Sequence, residues 1–380
     1  MFADRAYMLD ISRDKVPTMG TLRLIVDLLA KFEYNQFQLY TEHTFAYSTH
    51  RDVWEAASPL TAEEIRELDA YCALRGIDLV PNQNSFGHLE RWLVKPAYNH
   101  LAELPQGGAP LPELRRLRHE RMVALVAPVE GDEILRQLGD ELGMLQNHVP
   151  PEHRPLPVLP REGGDLFEEV EVDTAFAPFP GRVENMRENM VAAERAGRLH
   201  GARGFLVTDW GDGGHWQPLA ASLPGLVFGG MLAHEGASAA KMDLESALNG
   251  IMGVPLGGTL LRLGTLYLRG GALRANASEL FRILANDRGY SRHPGLTEPI
   301  LAEISAIAEG CRHAASAYAG GAYPNVWAQE IVYMANLVDA ACNRRDERRL
   351  RFLREEHDRI WKLRNRIGGM VDSRAKLPRF

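Results

Sequence analysis

Residues 204–219, GFLVTDWGDGGHWQPL, hold two aspartates, two tryptophans, one histidine and four glycines, all but Gly204 directly behind an apolar run. Carboxylates accept hydrogen bonds from hydroxyls, and indole faces cover C–H surfaces. Together they suit a sugar ring, which presents both. A histidine with aspartates also suits a metal ion, and glycine-rich turns with aromatics also occur as plain packing. No HxH or HxxxH spacing supports a metal site, so no metal is assigned. GFLV reads as a buried strand, which puts the polar cluster at a strand end.

The elements that must position this cluster are legible along the first part of the chain. AYMLDIS (6–12), NQFQLYT (35–41) and IDLVPNQ (77–83) read as strands. TLRLIVDLLAKF (21–32) has helical spacing, and 61–76 reads as a helix with Thr61 at its cap, Glu64 three residues on and Gly76 as the stop. A further helix over 181–202 precedes the GFLV strand. Strand–helix–strand alternation predicts a parallel sheet covered by helices. In such folds chemistry gathers at the carboxyl ends of the strands. The first strand delivers Asp10, Ser12 and Arg13 there, with Arg5 at its other end. The second delivers Tyr40, Glu42 and His43, and the third Asn82, Gln83, Asn84 and His88. The last delivers Asp209, Trp210, Asp212, His215 and Trp216. From about residue 230 the pattern turns helical, with amphipathic stretches over 298–319 and 347–369. Residues 150–164 are proline-rich and read as a connector.

The composition narrows the function classes. The 380 residues are 45% hydrophobic and 24% charged, with a net charge of −7. That is enough chain for a large core, and the mild acidity argues against nucleic acid as a partner. No apolar run approaches the roughly 20 residues of a membrane span. No basic segment followed by an apolar one opens the chain, which predicts a cytoplasmic protein. Cys72, Cys311 and Cys342 are scattered without metal-ligand spacing and read as reduced core residues.

Several segments resemble family 20 glycoside hydrolases, the β-N-acetylhexosaminidases. RAYMLDISRDKVPTMGTLRLIVDLLAKFEYNQFQLYTEHTFAY looks like the opening of that family's catalytic barrel. GIDLVPNQNSFGHLERWL looks like its third-strand segment, residues 181–219 like its end, and WKLRNRIGGMVDS like a C-terminal helical region. The resemblance implies a (β/α)8 barrel over residues 1–230, followed by a mainly helical region over 231–380. It implies removal of terminal β-linked N-acetylhexosamine, with no cofactor and with a carbohydrate as the partner. It also implies substrate-assisted catalysis: the sugar's 2-acetamido oxygen attacks the anomeric carbon, an aspartate orients that group, and the adjacent glutamate is the general acid. This departs from schemes in which a second carboxylate is the nucleophile or activates water. By the resemblance, Arg5 grips ring hydroxyls, His88 lies near the pocket, Trp210 stacks on the sugar and Asp212 takes outer hydroxyls. Glu42 and Trp216 join this substrate-binding set.

The middle of the chain departs from the family pattern. Residues 168–176 resemble the seventh strand, and residues 84–112 match a loop and helix, so residues 113–167, 55 in number, must supply strands four to six. Three strand–helix units at about 30 residues each do not fit. The barrel is therefore expected to be incomplete, shortened between about 105 and 170. Only Gly131-Asp132-Glu133 stands where the catalytic pair would be. Three readings stay open for it: Asp132 orients the acetamido group and Glu133 is the acid; or the segment matches strand five and the pair is deleted; or both are ordinary first-turn acids favoured by a helix dipole. Loss of the pair would leave an inactive sugar-binding homologue. The first strand begins almost at Met1, so the smaller domain that family members carry ahead of the barrel is expected to be absent, or the sequence to be a fragment.

Overall fold

The computed structural model describes residues 1–84, 88–99, 181–271, 277–285, 292–343 and 346–378, and the backbone of 168–171. Five parallel strands form one sheet: β1 (Asp4–Asp10), β2 (Gln36–Thr41), β3 (Asp78–Gln83), β4 (Glu168–Glu171) and β5 (Gly204–Asp209). Their order is β3-β2-β1-β5-β4. Read from β4, it runs 4-5-1-2-3, a cyclic order cut between β3 and β4. A doubly wound sheet would reverse direction at a switch point; this one steps the same way throughout, as strands do around a barrel. Among the described residues the sheet is open and no closed barrel is formed.

Side chains alternate along a strand, so each strand sends every second residue to each face. One face carries Tyr7, Leu9, Phe37, Leu39, Phe205 and Val207, all in the main apolar core. The register puts Ala6, Met8 and Asp10 on the other face, beside Gln36, Gln38 and Tyr40. Amides on that face bond to one another: Asn82 Nδ2 donates to Gln38 Oε1 at 3.0 Å, and Gln38 Nε2 to Gln36 Oε1 at 2.9 Å. A helix laid there would bury these amides at a cost, so the helices cover the apolar face.

Helix α1 (Met19–Lys31) buries Leu22, Ile25, Val26 and Leu29, spaced three and four apart. The short α2 (Arg51–Trp54) precedes α3 (Ala62–Ala73), which carries the full capping box of Thr61 and Glu64. The short α4 (Glu90–Leu93) follows β3. Helix α5 (Val183–Leu199) connects β4 to β5, and α6 (Leu219–Glu235) leaves β5. Helix α6 is apolar nearly all round and lies very close to its neighbours. A Cβ at Gly230 would sit 2.2 Å from the Phe32 carbonyl oxygen, which only glycine tolerates.

The rest is helical: α7 (Leu244–Met252), α8 (Gly257–Leu263), α9 (Glu279–Ala285), α10 (Glu298–Ala319), α11 (Val326–Cys342), α12 (Glu347–Arg364) and α13 (Met370–Lys376). One apolar core takes residues from both sides of residue 230. The helix expected over 347–369 ends at Arg364, because Asn365 turns extended and pairs with Pro17 in a bridge. No single helix among the described residues is long and apolar enough to cross a membrane.

Candidate functional site

The carboxyl ends of β1, β2, β3 and β5 meet at one rim. Asp10 closes β1 and is fully buried. Its Oδ1 accepts from Ser12 N at 2.7 Å and from Ser12 Oγ, and its Oδ2 from Gly211 N at 2.9 Å. Asp10 therefore staples the turn after β5 to the end of β1. Burial still raises its pKa, against the pull of Ser12 and Arg13.

Arg13 ties the rim together. Its Nη1 lies 3.1 Å from both Glu42 carboxylate oxygens, and its Nη2 donates to Asp212 Oδ1 at 3.0 Å. Burial alone would ease its proton off, but Glu42, Asp10 and Asp212 outweigh that and hold its pKa above the ordinary value. Glu42 also accepts from Tyr40 Oη at 3.2 Å, and His88 Nδ1 stands 3.8 Å from its Oε1. Burial pushes the Glu42 carboxyl up to about 7; Arg13 opposes the rise and Asp10 adds to it. The Tyr40 ring meets Trp210 edge-on, centroids 4.8 Å apart, and Asn84 Nδ2 donates to Tyr40 Oη at 2.7 Å. The contacts form a circuit: Trp210 to Tyr40, to Glu42, to Arg13, to Asp212, and back along the chain to Trp210.

Of the substrate-binding set expected from sequence, the rim thus gathers Glu42, His88, Trp210 and Asp212. His88 sits there with φ 55°, a left-handed conformation uncommon outside glycine. Arg5 and Trp216 lie elsewhere. Arg5 is at the amino-terminal end of β1, where its guanidinium donates to the carbonyls of Phe2 and Glu33. It shares the helix-covered face with Tyr7 and Leu9. Trp216 is buried in the core, its indole N–H on Ser373 O at 3.1 Å and its ring 5.1 Å from that of Phe281. The physical reason is the turn between Trp210 and Trp216: His215 takes a left-handed conformation that carries the chain under the helices. Asp132 and Glu133 lie outside the described residues.

Sequence reasoning placed Arg13 and Tyr40 at strand ends without selecting them, and it missed Lys15. Lys15 lies buried behind the rim, its Nζ donating to His215 O at 3.0 Å and to Gln217 O at 2.5 Å. Burial lowers its pKa to about 7, offset in part by Asp209 and Glu330. It borders a cavity of about 40 Å³ lined also by Asp209, Glu330, His357 and Arg364. That is far below the roughly 300 Å³ of small-molecule sites, so the cavity does not hold a sugar. Among the described residues, no three His, Cys, Asp or Glu side chains gather as a metal-binding group.

Solved structures similar to this chain are hexosaminidases. The β-N-acetylhexosaminidase of Bacteroides fragilis aligns at 20% identity over 36% of this chain and 30% of its own, with a TM-score of 0.26. The family 20 exo-β-N-acetylglucosaminidase of Vibrio harveyi, determined with N-acetylglucosamine, aligns at 15% identity over 67% of this chain and 58% of its own, with a TM-score of 0.40. The chitobiase of Flavobacterium johnsoniae aligns at 12% identity over 98% of this chain and 78% of its own, with a TM-score of 0.37. The chain thus spans under two thirds of the first two proteins. The likeness is distant and carries no statement about activity. No family model and no curated protein sequence matches the chain.

Proposed function

We propose that the rim is a carbohydrate pocket and that the protein is a glycoside hydrolase-like protein acting on terminal β-linked N-acetylhexosamine. The observation that carries the reading is the closed circuit of Trp210, Tyr40, Glu42, Arg13 and Asp212, which sets an aromatic pair beside fixed carboxylates. The sequence resemblance supports the finer reading, with Asp132 orienting the acetamido group and Glu133 as the acid. Such an acid must hold its proton near neutral pH, which burial favours.

A second reading is an inactive sugar-binding homologue. The rim favours it in one respect. Arg13 grips Glu42 and Asp212, while Ser12 and Gly211 occupy Asp10. Burial raises the Glu42 carboxyl as a general acid needs, but both its oxygens are shared with Arg13, so hydrolysis needs an acid from beyond these residues. Turnover of a chromogenic N-acetylglucosaminide tests the two readings. Hydrolysis that falls at least about a hundredfold in Glu133→Gln supports the enzyme and its acid. Equal turnover in both proteins removes Glu133 from that role. No turnover, with a melting temperature raised by N-acetylglucosamine and not in Trp210→Ala, supports the binding protein.

A further inference from the structure

We infer that the cavity behind the rim is a binding site for buried water, with room for about two molecules held by Lys15, Asp209, His357 and Arg364. All four residues line the cavity and are buried. Three of them bring an atom with no hydrogen-bond partner among the described residues: Asp209 Oδ1, His357 Nε2 and Arg364 Nη2. Their neighbouring atoms are engaged. Asp209 Oδ2 accepts from Tyr7 Oη at 2.6 Å, Tyr333 Oη lies 2.7 Å from His357 Nδ1, and Arg364 Nε donates to Glu330 Oε1 at 2.8 Å. An ammonium group has three N–H bonds, and Lys15 spends two of them on the carbonyls of His215 and Gln217. A buried polar atom without a partner costs stability, so several such atoms around one space point to a ligand that fills it.

Size and hydrogen bonding select water as the occupant. At about 40 Å³ the cavity takes water and no organic ligand. Arg364 and the charged Lys15 only donate. The Asp209 oxygen accepts as a carboxylate and can donate as a carboxylic acid, and His357 Nε2 does either, according to the tautomer that the Tyr333 hydroxyl sets. Water both donates and accepts, so it meets all four groups in any of these states. An anion would sit against the carboxyl groups of Asp209 and Glu330, and a cation against Lys15 and Arg364. Because Lys15 also holds the His215 and Gln217 carbonyls, the water lies under the turn that carries Trp210 and Asp212 and joins it to α12.

High-resolution crystallography of the full chain near neutral pH, with and without sodium bromide, tests this. Ordered water is expected within about 2.7–3.2 Å of at least two of the four groups, with no anomalous bromide signal in the cavity. A bromide peak there overturns water in favour of an anion. Side chains that close on one another, with no density between them, overturn the site itself. In solution, oxygen-17 relaxation dispersion counts long-lived buried waters. His357→Phe keeps a ring between Tyr333 and Trp361 but removes Nε2, so the count should fall by about one while the melt stays cooperative. An unchanged count in the folded variant overturns the assignment of His357 to the site. The wild-type crystal decides the case should that variant not fold.

Discussion

Glu42 and Lys15 are perturbed in opposite senses by the same cause, burial. The Glu42 carboxyl, ordinarily at 4.5, rises to about 7 in the folded protein. Between those values the folded chain holds the proton more tightly than the unfolded chain. Its contribution to stability is therefore full below pH 4.5 and lost as pH rises through about 7. The Lys15 amine falls from 10.5 to about 7, so there the unfolded chain holds the proton more tightly and stability grows as pH climbs from about 7 to 10.5. Together the two groups place a dip in stability near pH 7, with an acid side on the order of 3 kcal/mol and an alkaline side on the order of 5 kcal/mol. Urea unfolding across pH checks this. Glu42→Gln should flatten the acid side and Lys15→Met the alkaline side. A profile unchanged by either substitution contradicts the assignment. Lys15→Met should also lower stability overall by about 1–3 kcal/mol, because the buried carbonyls of His215 and Gln217 lose their donor.

At the scale of elements, what was readable in the sequence was local. Thr61, Glu64 and Gly76 marked α3 because a capping box and a glycine in the left-handed region need only their neighbours, and both are present. Thr61→Ala is expected to cost about 1 kcal/mol by urea unfolding, with Thr61→Ser near neutral. The strands were readable because apolar runs between helices have few other uses. Alternation along β1 also held the information that Arg5 shares a face with Tyr7 and Leu9, away from the face that ends in Asp10 and Tyr40. The end of α12 was not readable. Its helical spacing runs on to 369, but Arg366 N donates to Val16 O at 2.8 Å, and Thr18 N to Arg364 O at 2.9 Å. Partners nearly the whole chain away override the local pattern. The same distance hid Lys15, whose acceptors are 200 and 202 residues on.

At the scale of the whole molecule, Glu330 joins the C-terminal helices to α6, the helix that leaves β5. It is fully buried on α11, accepts from Ala220 N at the start of α6 at 3.1 Å, and pairs with Arg364 Nε at 2.8 Å. Arg364 in turn lies over the Trp327 ring, 3.9 Å from its centroid. Removing the acid strands a buried guanidinium, so Glu330→Ala should cost about 3–5 kcal/mol, and the double variant with Arg364→Met less than the sum of the two singles. Equal costs for the double variant and the sum would show that the pair is not coupled.

The strand order has a consequence for synthesis. β1 pairs with β2 at once, but its other flank waits for β5; Tyr7 meets Asp209 only 202 residues later. At about 5–20 residues per second of translation, the nascent chain carries a bare sheet edge for roughly 10–40 s. A ribosome paused before codon 204 would prolong that exposure, and chaperone capture there would serve the yield of this protein more than any gain in its final stability.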